Sequence, residues 1–430
     1  MAVVKPFHAL HYDPRKVKIE QVIAPPYDII SADDKKVLYQ RDPYNVVQLE
    51  LSIPDPKNPP TQFVYAGTAT TLKLWTGEKV LIQDPKEAYY LYEMQYQHPF
   101  HNKMLTRLSL FGALKLEPFE QKIVFPHEKT HATAKVDRMQ LLKATECNFS
   151  PIFALYEDET NTLDQIYQSL KDQPALYDFQ DEKGTTHRLW PIQSQKEKEN
   201  IQKTFQRRRV FIADGHHRYE TALNYAIEKN NGTITGNHPW DYVMTSFVRF
   251  HDLGLLILPI HRVVLKSTPI NREEFKEKLK KYFILHSVSR SVLEKVSEGS
   301  ITDGFGLAFS DNECFSLELK DKTTARQAMP KEKPAAWHDL DMNLISYLIF
   351  EPLLQIKNNE LEWKIFYTSS VDEAFGKLKG SDAECAFFIR PVTPRAIKEI
   401  CESGELMPQK STYFYPKFPS GLLMYPHQNV

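Results

Sequence analysis

The sequence predicts a mixed α+β (α/β) fold with a central sheet, and one strand–turn–helix segment is the main reason. Residues 210–213 form an apolar, partly β-branched run that is typical of a buried strand. Gly215 then permits a tight turn, and from Arg218 apolar residues recur at the spacing of one helix face. This stripe consists of Tyr219, Ala222, Leu223, Ala226 and Ile227. Further strand and helix patterns along the chain support the same fold class.

The length of 430 residues favours two or three domains. We expect a site-bearing N-terminal and central region over residues 1–265 and an accessory α+β lobe over 266–335. A C-terminal region over 336–430 is expected to pack back on the core. The apolar content of 42% and the charged content of 25% are ordinary for a soluble globular protein.

The charge balance argues against nucleic acid or a membrane surface as the main partner. The 54 basic and 55 acidic residues leave a net charge of -1. The four cysteines are far apart and form no CxxC pair, which indicates neither a disulfide framework nor a zinc site. No apolar run approaches membrane-spanning length. We therefore expect a cytoplasmic protein that acts on a small molecule, with its oligomeric state left open.

In chain order, Pro25 and Pro26 stiffen a loop that presents Tyr27 and Asp28 before a helix start at Ser31. The elements expected next are a strand over 44–52, a proline-rich break over 54–60, a helix over 63–74, a tyrosine-rich strand over 88–97, a core element over 105–116, a helix over 135–144 that buries Val136, Met139 and Leu142, and a strand from 150.

In the second half, the expected strands cover residues 187–191, 240–249, 253–259 and 386–389. The expected helices cover 162–170, 272–282, 291–298, 340–354 (a pair) and 393–403. Residues 407–422 contain several prolines and tyrosines, which predicts an extended, rigid segment.

The central turn concentrates residues that suit an anionic ligand: Asp214, Gly215, His216, His217 and Arg218. The start of a helix offers backbone N–H groups and the positive end of its dipole, which favour a phosphate above all. Arg218 could add a bidentate contact to the same anion. Two other interpretations stay open: Asp214 could be a structural helix cap, or the His and Asp side chains could bind a metal, although HExxH spacing is absent.

Two further segments offer similar chemistry. One is rich in titratable residues, namely His127, Glu128, Lys129, His131, Lys135, Asp137 and Arg138. Such a loop can bind an oxyanion and move a proton, or it can be a solvated surface. In the other, Lys410 and Ser411 offer an ammonium and a hydroxyl to a phosphate, unless the aromatic residues that follow simply staple the segment to the surface.

Six segments in order along nearly the whole chain carry a resemblance to a known family. They are APPYD (24–28), YNVVQLEL (44–51), HEKT with KVDR (127–130 and 135–138), NFSPIF (148–153), ADGHHRYETAL (213–223) and PQKSTYFYPKFPSGL (408–422). With them the chain resembles the bacterial domain-of-unknown-function family numbered one thousand and fifteen. Where that family often has a glycine–proline pair after HEKT, residues 131–134 here are His-Ala-Thr-Ala.

The DGHHR junction is also similar to the phosphate-binding turn of the ParB/sulfiredoxin-like superfamily, which includes an ADP-dependent free serine kinase. This resemblance implies a ParB/sulfiredoxin-like core elaborated by additional lobes. Genes of the family often lie beside those for phosphoserine synthesis, which implies O-phosphoserine or serine as the substrate.

These observations predict phosphoryl transfer on a small serine-like metabolite, either by a phosphoserine phosphatase or by a serine kinase that uses ADP or ATP. The groups expected to hold the phosphoryl group are the Gly215 N–H, Arg218, Lys129 and Arg138, and the further binding candidates are His127, Lys410, Ser411, Tyr27 and Asp28. His216 or His217 would transfer a proton or act as the nucleophile.

Asp214 would orient an imidazole or activate water, and Glu128 is a further catalytic candidate. Mg²⁺ is a candidate cofactor, with Asp214, Glu128 or Asp28 as its ligands. The alternative function is a ParB-like nucleotide-binding switch or DNA-associated protein. Such a protein would need a basic face and a DNA-binding helix-turn-helix, and the sequence indicates neither.

Overall fold

The computed structural model describes residues 1–51, 62–130, 132–301 and 303–428, and of residues 62, 63 and 132–134 it describes the backbone. The chain divides into two compact units. The first comprises Met1–Pro126, Thr130–Leu255 and Pro416–Val430, and the second comprises His127–Lys129 and Leu256–Tyr415. Both expected domain boundaries, after 265 and after 335, lie inside the second unit. The expected break over 54–60 and His131 lie outside the described residues.

The first unit is built on a mixed sheet with nine strands among the described residues. The strands of this unit are β1 (Val4–Lys5), β2 (Leu10–Tyr12), β3 (Leu81–Gln83), β4 (Tyr89–Gln97), β5 (Met104–Lys115), β6 (Val124–Phe125), β7 (Cys147–Asn148), β8 (Ile152–Tyr156), β9 (Tyr177–Gln180), β10 (Thr186–Ile192), β11 (Val210–Asp214), β12 (Tyr242–Arg249) and the last strand of the chain, β21 (Tyr425–Pro426). The sheet runs in the order β6-β11-β8-β12-β5-β4-β10-β9, and β1 also pairs with β5. Strand β11 is parallel to β6 and antiparallel to β8.

The helices of the first unit are α1 (Ile19–Val22), α2 (Ala32–Arg41), α3 (Val47–Glu50), α4 (Gln62–Gly77), α5 (Ala132–Thr145), α6 (Thr162–Leu170), α7 (Gln195–Phe205) and α8 (His216–Lys229). Short 3₁₀ turns cover Tyr27–Ile29, Phe119–Gln121 and Pro239–Asp241. The expected helix start at Ser31 is confirmed, because Ser31 and Asp34 form a reciprocal capping box at the start of α2.

The strand–turn–helix segment lies in the core of this unit. Val210 and Ile212, on one face of β11, are fully buried in the same cluster as Tyr219 and Ala222 of α8. Leucine and alanine residues one turn further along α8 continue this buried stripe. The predicted segment is therefore confirmed, except that the helix begins at His216 rather than at Arg218.

The second unit contains a separate antiparallel sheet. Its strands are β13 (Leu256–Leu258), β14 (His261–Leu265), β15 (Phe283–Ser287), β16 (Phe305–Phe309), β17 (Cys314–Leu319), β18 (Ile365–Thr368), β19 (Ala383–Phe388) and β20 (Tyr413–Tyr415). Six of them run in the order β15-β17-β16-β19-β14-β18, while β13 pairs with β20. The helices are α9 (Arg272–Leu279), α10 (Arg290–Ser297), α11 (Lys322–Gln327), α12 (Ala335–His338), α13 (Asp341–Ile345), α14 (Glu351–Leu354), α15 (Leu361–Lys364), α16 (Val371–Lys379) and α17 (Pro394–Glu402), with a π-helical turn at Ser346–Phe350 and a 3₁₀ turn at Asn358–Glu360.

The predicted fold class is confirmed, since a large mixed sheet and many helices alternate along the chain. No helix in the described part of the chain combines the length and the apolar character that a membrane crossing requires. All four cysteines are buried thiols that take part in no disulfide.

The strand expected over residues 44–52 is wrong, because this stretch contains helix α3. Asn45 is fully buried, and its side-chain amide donates to the Gln21 carbonyl oxygen at 2.7 Å. Its Oδ1 accepts the Val47 N–H at 3.1 Å. These bonds turn the chain where the alternation of apolar residues favoured a strand. Ser52 lies outside the described residues.

The buried face of α5 also differs from the expectation. Val136, expected to be buried, is 63% exposed, whereas Leu141 and Leu142 are buried as one face of the helix. Arg138 lies three and four residues before them and is therefore on the same face, where it is 7% exposed. The expected burial is therefore wrong for Val136 and confirmed for Leu142, and the buried face places the Arg138 guanidinium inside the unit.

Substitution of Gly254 tests how closely the backbone of the segment after β12 approaches the backbone of β5. A Cβ on Gly254 would lie 2.3 Å from the Thr106 carbonyl oxygen, so that the backbone would have to move. We expect Gly254→Ala to lower the free energy of unfolding by about 2 kcal/mol in urea denaturation. Gly67→Ala, in α4 with no atom within 4 Å of the new methyl group, is the control and should raise it by about 0.5–1 kcal/mol. Wild-type stability of Gly254→Ala would contradict the close approach.

Candidate functional site

The turn between β11 and α8 positions the candidate site. Gly215 has a φ of 89°, in the left-handed region that favours glycine. A Cβ at this position would also lie 3.1 Å from the guanidinium carbon of Arg218. Gly215 is the N-cap residue, and among the described residues no side chain caps α8. A side-chain cap therefore does not reduce the tendency of this helix N-terminus to bind an anion.

Asp214 is held by two contacts of its carboxylate. Lys417 donates to Oδ2 at 2.7 Å, and the Gly215 N–H donates to Oδ1 at 2.8 Å. The cap interpretation of Asp214 is thus wrong, because the cap position belongs to Gly215. The Gly215 N–H was expected to bind a phosphoryl group, but it donates its hydrogen bond to the Asp214 carboxylate.

Electrostatics keep Asp214 ionised. Burial would raise the pKa of its carboxyl group, but the Lys417 ammonium and the Arg218 guanidinium outweigh this effect and hold the pKa well below its ordinary value. At neutral pH Asp214 is therefore an anchored carboxylate rather than a proton donor. The sequence analysis did not single out Lys417, although it belongs to the PKFPSGL motif.

A pocket of about 50 Å³ lies within the first unit, and the first two turns of α8 contribute to its wall. Arg218 and Thr221 of α8 line it together with Arg138 of α5, Glu50 of α3 and Ser150, which precedes β8. Two of the predicted phosphate-binding residues, Arg138 and Arg218, are thereby brought together.

Arg138 is fixed by several partners. Its Nε donates to Asp137 at 2.7 Å, and its Nη1 donates to the Glu50 carbonyl oxygen at 2.9 Å. The guanidinium also lies 4.3 Å from the ring centre of Tyr27, a cation–π contact. Because Asp137 offsets its charge, Arg138 contributes mainly a rigid wall with N–H donors.

Arg218 is oriented by a hydrogen bond from Nη1 to the Pro151 carbonyl oxygen at 2.5 Å, its one side-chain hydrogen bond to a described residue. Burial raises the pKa of the Tyr27 hydroxyl, and Arg218 and Arg138 act against this rise, which indicates that both guanidinium groups lie near Tyr27. Tyr27, predicted from its proline-stiffened loop, thus belongs to the surroundings of the two arginines.

Glu50 is a residue of the pocket wall that the sequence analysis did not single out. It is 3% exposed, and its Oε1 accepts the hydroxyl hydrogen of Ser150. Because a strand was expected over residues 44–52, Glu50 was interpreted as an ordinary polar position in an alternating pattern. The sequence feature that could have identified Glu50 is its position in the YNVVQLEL motif, where it is the one charged residue.

The remaining predicted residues of the first unit have different environments. His216 is buried, His217 is half-buried, and Asp28 is exposed in the short turn that follows Pro26. No group of three or more His, Cys, Asp or Glu side chains in the described ranges is arranged to hold a metal ion. The carboxylates that were expected to bind Mg²⁺ therefore do not form a ligand cluster there.

Five predicted residues belong to the second unit, where two segments pack together. These residues are His127, Glu128, Lys129, Lys410 and Ser411. The Ser411 N–H donates to Glu128 at 3.2 Å, and the Lys129 carbonyl oxygen accepts the Gln409 side chain at 3.1 Å. The side chain of His127 lies 3.0 Å from the Thr412 hydroxyl. Lys129 and Lys410 are exposed. Through these contacts, residues 127–129 and 409–412 pack against each other within this unit.

The fold and the pocket define a class: a mixed α/β protein with two arginines in a pocket at a strand–turn–helix junction. Residues 4–343 match the family described as "Protein of unknown function (DUF1015)", and the chain belongs to this family. The expected family membership is thus confirmed, whereas the finer link of the DGHHR turn to the ParB/sulfiredoxin-like superfamily stays a prediction. No curated protein gives a significant match.

Solved structures show a distant similarity. A conserved hypothetical protein from Pyrococcus furiosus matches with a TM-score of 0.36 and 13% identity, over 73% of this chain and 93% of that chain. A free serine kinase in complex with AMP matches with a TM-score of 0.34 and 13% identity, over 73% and 92%. SbnI with a C-terminal truncation, from Staphylococcus aureus, matches with a TM-score of 0.35 and 12% identity, over 71% and 85%. Similarity of this degree carries no conclusion about function.

Asp214→Asn tests the anchored turn. The Lys417 side chain is 13% exposed, so its loss of a charged partner should lower the free energy of unfolding by about 3 kcal/mol at pH 7. Because the folded-state pKa of Asp214 is depressed, the stabilisation is present above about pH 4 and is lost as pH falls towards the folded-state pKa. Urea denaturation at pH 7 and pH 3 should show a smaller difference from wild type at pH 3.

The matched control is Asp33→Asn, which removes a carboxylate that is 91% exposed and paired with Lys36. It should change stability by less than about 0.5 kcal/mol at either pH. A difference between Asp214→Asn and wild type that does not depend on pH would contradict the ion pair as its origin.

Proposed function

We propose that this protein is a phosphoryl-transfer enzyme that acts on a small serine-like metabolite and hydrolyses O-phosphoserine. The observation that carries the proposal is that Arg138 and Arg218 line one pocket together with the first turns of α8. Phosphoryl transfer depends mainly on positioning and charge stabilisation, for which guanidinium groups and a helix N-terminus are suited.

In this proposal Arg218 holds the phosphoryl group. Its bond to Pro151 sets the plane of the guanidinium, and its other N–H donors make no hydrogen bond to a described residue. Arg138 provides the facing wall. The oxygen of a water molecule bonds to phosphorus as the bond from phosphorus to the serine oxygen breaks, and His216 or His217 passes a proton to that leaving oxygen, so that serine and phosphate are released. Asp214, held ionised by Lys417, keeps the turn in place.

The reverse transfer, by a serine kinase that uses ADP or ATP, would require the same phosphoryl site. Mg²⁺ belongs in the assay because metal ions bridge phosphate oxygens in such reactions. Since no ready cluster of ligands exists among the described residues, the phosphate itself would supply part of the coordination. A ParB/sulfiredoxin-like core and a cytoplasmic location are further parts of the proposal.

Release of phosphate from O-phosphoserine with Mg²⁺ tests the proposal. We expect release by the wild type, a loss of about 100- to 1,000-fold in kcat/KM for Arg218→Ala, and a loss of about 100-fold for His217→Ala. The matched control is Arg207→Ala, which removes an exposed arginine of the same unit that does not line the pocket. It should retain the wild-type rate within about twofold.

Other outcomes would change the proposal. Absence of release, with O-phosphoserine formed when serine and ADP or ATP are supplied, would replace hydrolysis by the kinase reaction. Absence of activity in both assays, or an equal loss in Arg207→Ala and Arg218→Ala, would contradict phosphoryl transfer at this pocket.

A further inference from the structure

The pocket contains a buried carboxylate that an anion site alone does not explain. Glu50 is 3% exposed, and a carboxylate beside a bound phosphate repels it unless the ligand also brings a positive charge. Oε2 of Glu50 has no hydrogen-bond partner among the described residues, and the same is true of Thr221 Oγ1 in the same pocket. Buried polar atoms are rarely left unsatisfied, so that both atoms indicate a bound ligand.

The surrounding charges are already paired. The ion pairs are Arg138 with Asp137, Asp214 with Lys417, and Lys135 with Glu220, the neighbour of Thr221 on α8. Within the described ranges, neither Glu50 nor Arg218 takes part in a salt bridge. The pocket therefore presents one anionic group and one cationic group to a ligand.

A second buried glutamate shows why this arrangement matters. Glu93 on β4 is 1% exposed and also has an Oε2 without a hydrogen-bond partner. Its charge, however, is compensated by the Arg188 guanidinium at 3.3 Å. Glu50 has no such cation among the described residues, and in its place it faces a cavity. A ligand cation would supply the missing compensation.

We propose that Glu50 determines specificity by binding the ammonium group of the substrate, so that the pocket takes a phosphorylated primary amine. This inference rests on the proposed function for the phosphoryl end of the ligand. The ammonium donates to Glu50 Oε2, the Ser150 hydroxyl holds the carboxylate in place through Oε1, and Arg218 binds the anionic group. An analogue without the ammonium leaves Oε2 unpaired and repelling, which is the basis for its rejection.

Binding to the full chain tests this inference without requiring turnover. O-phosphoserine is compared by calorimetry with 3-phosphoglycerate, which carries a hydroxyl in place of the ammonium. The wild type should bind O-phosphoserine about 100-fold more tightly. Glu50→Gln should bind O-phosphoserine about 10-fold more weakly, because the ammonium loses its partner, and 3-phosphoglycerate about 10-fold more tightly, because the repelling charge is gone, which together abolish the preference.

Glu93→Gln is the control, since it removes a buried charge of the same type outside the pocket, and it should keep the wild-type preference. Ser150→Ala, which removes the bond to Oε1 but leaves the carboxylate, should reduce the preference by a smaller factor, about 5- to 10-fold. If Glu50→Gln does not fold, the wild-type preference and Ser150→Ala decide.

The outcomes separate this inference from the proposed function. A preference for O-phosphoserine that is lost in Glu50→Gln, with no phosphate release by the wild type, would overturn hydrolysis and support the ammonium site. Equal wild-type affinity for the two ligands, or binding of neither, would overturn the ammonium site. An equal loss for both ligands in Glu50→Gln, in binding or in release, would assign Glu50 to metal binding or proton transfer and overturn it as well.

Discussion

The ion pair between Asp214 and Lys417 is the interaction on which the candidate site depends. It joins the end of β11 to the C-terminal segment at 2.7 Å. The same carboxylate accepts the Gly215 N–H, so that strand, turn and C-terminal segment meet at one charged group. Arg218 is in the helix that follows directly, and its guanidinium packs within 3.1 Å of where a Cβ of Gly215 would be. A displaced turn would therefore displace Arg218 from the pocket.

The free-energy cost of burying charged side chains helps to identify which residues of the pocket interact with a ligand. Desolvation of a charged group is costly unless a partner or hydrogen bonds compensate it. Arg138 and Asp214 meet this requirement within the protein, through Asp137 and Lys417. Glu50 meets it only in part, through Ser150, and Arg218 through the Pro151 carbonyl oxygen and the nearby charge of Asp214, with which it forms no salt bridge. Groups that remain incompletely compensated beside a cavity are the ones expected to interact with a ligand.

Much of the site was predictable from local patterns, and the failures have a physical cause. The apolar run and the helical spacing predicted β11, the turn and α8, and the same residues pack as predicted. Arg218 and Arg138 were predicted and share the pocket. Glu50 was missed because the alternating residues 44–52 favoured a strand, whereas buried Asn45 forms side chain–backbone bonds that turn the chain. The segment around Glu128 packs against residues 407–412 of the second unit, and its assignment to the site stays a prediction.

The sequence by itself determined what depends on neighbours a few residues apart: the strand at 210, the need for glycine at 215, the amphipathic helix after it, and the family. Tertiary structure alone decided which charges are partners. Asp214 and Lys417 are 203 residues apart, and Glu50 is 100 residues from Ser150. The reason is that periodicity and turn propensity act through local backbone geometry, whereas ion pairs and pockets require packing between distant segments.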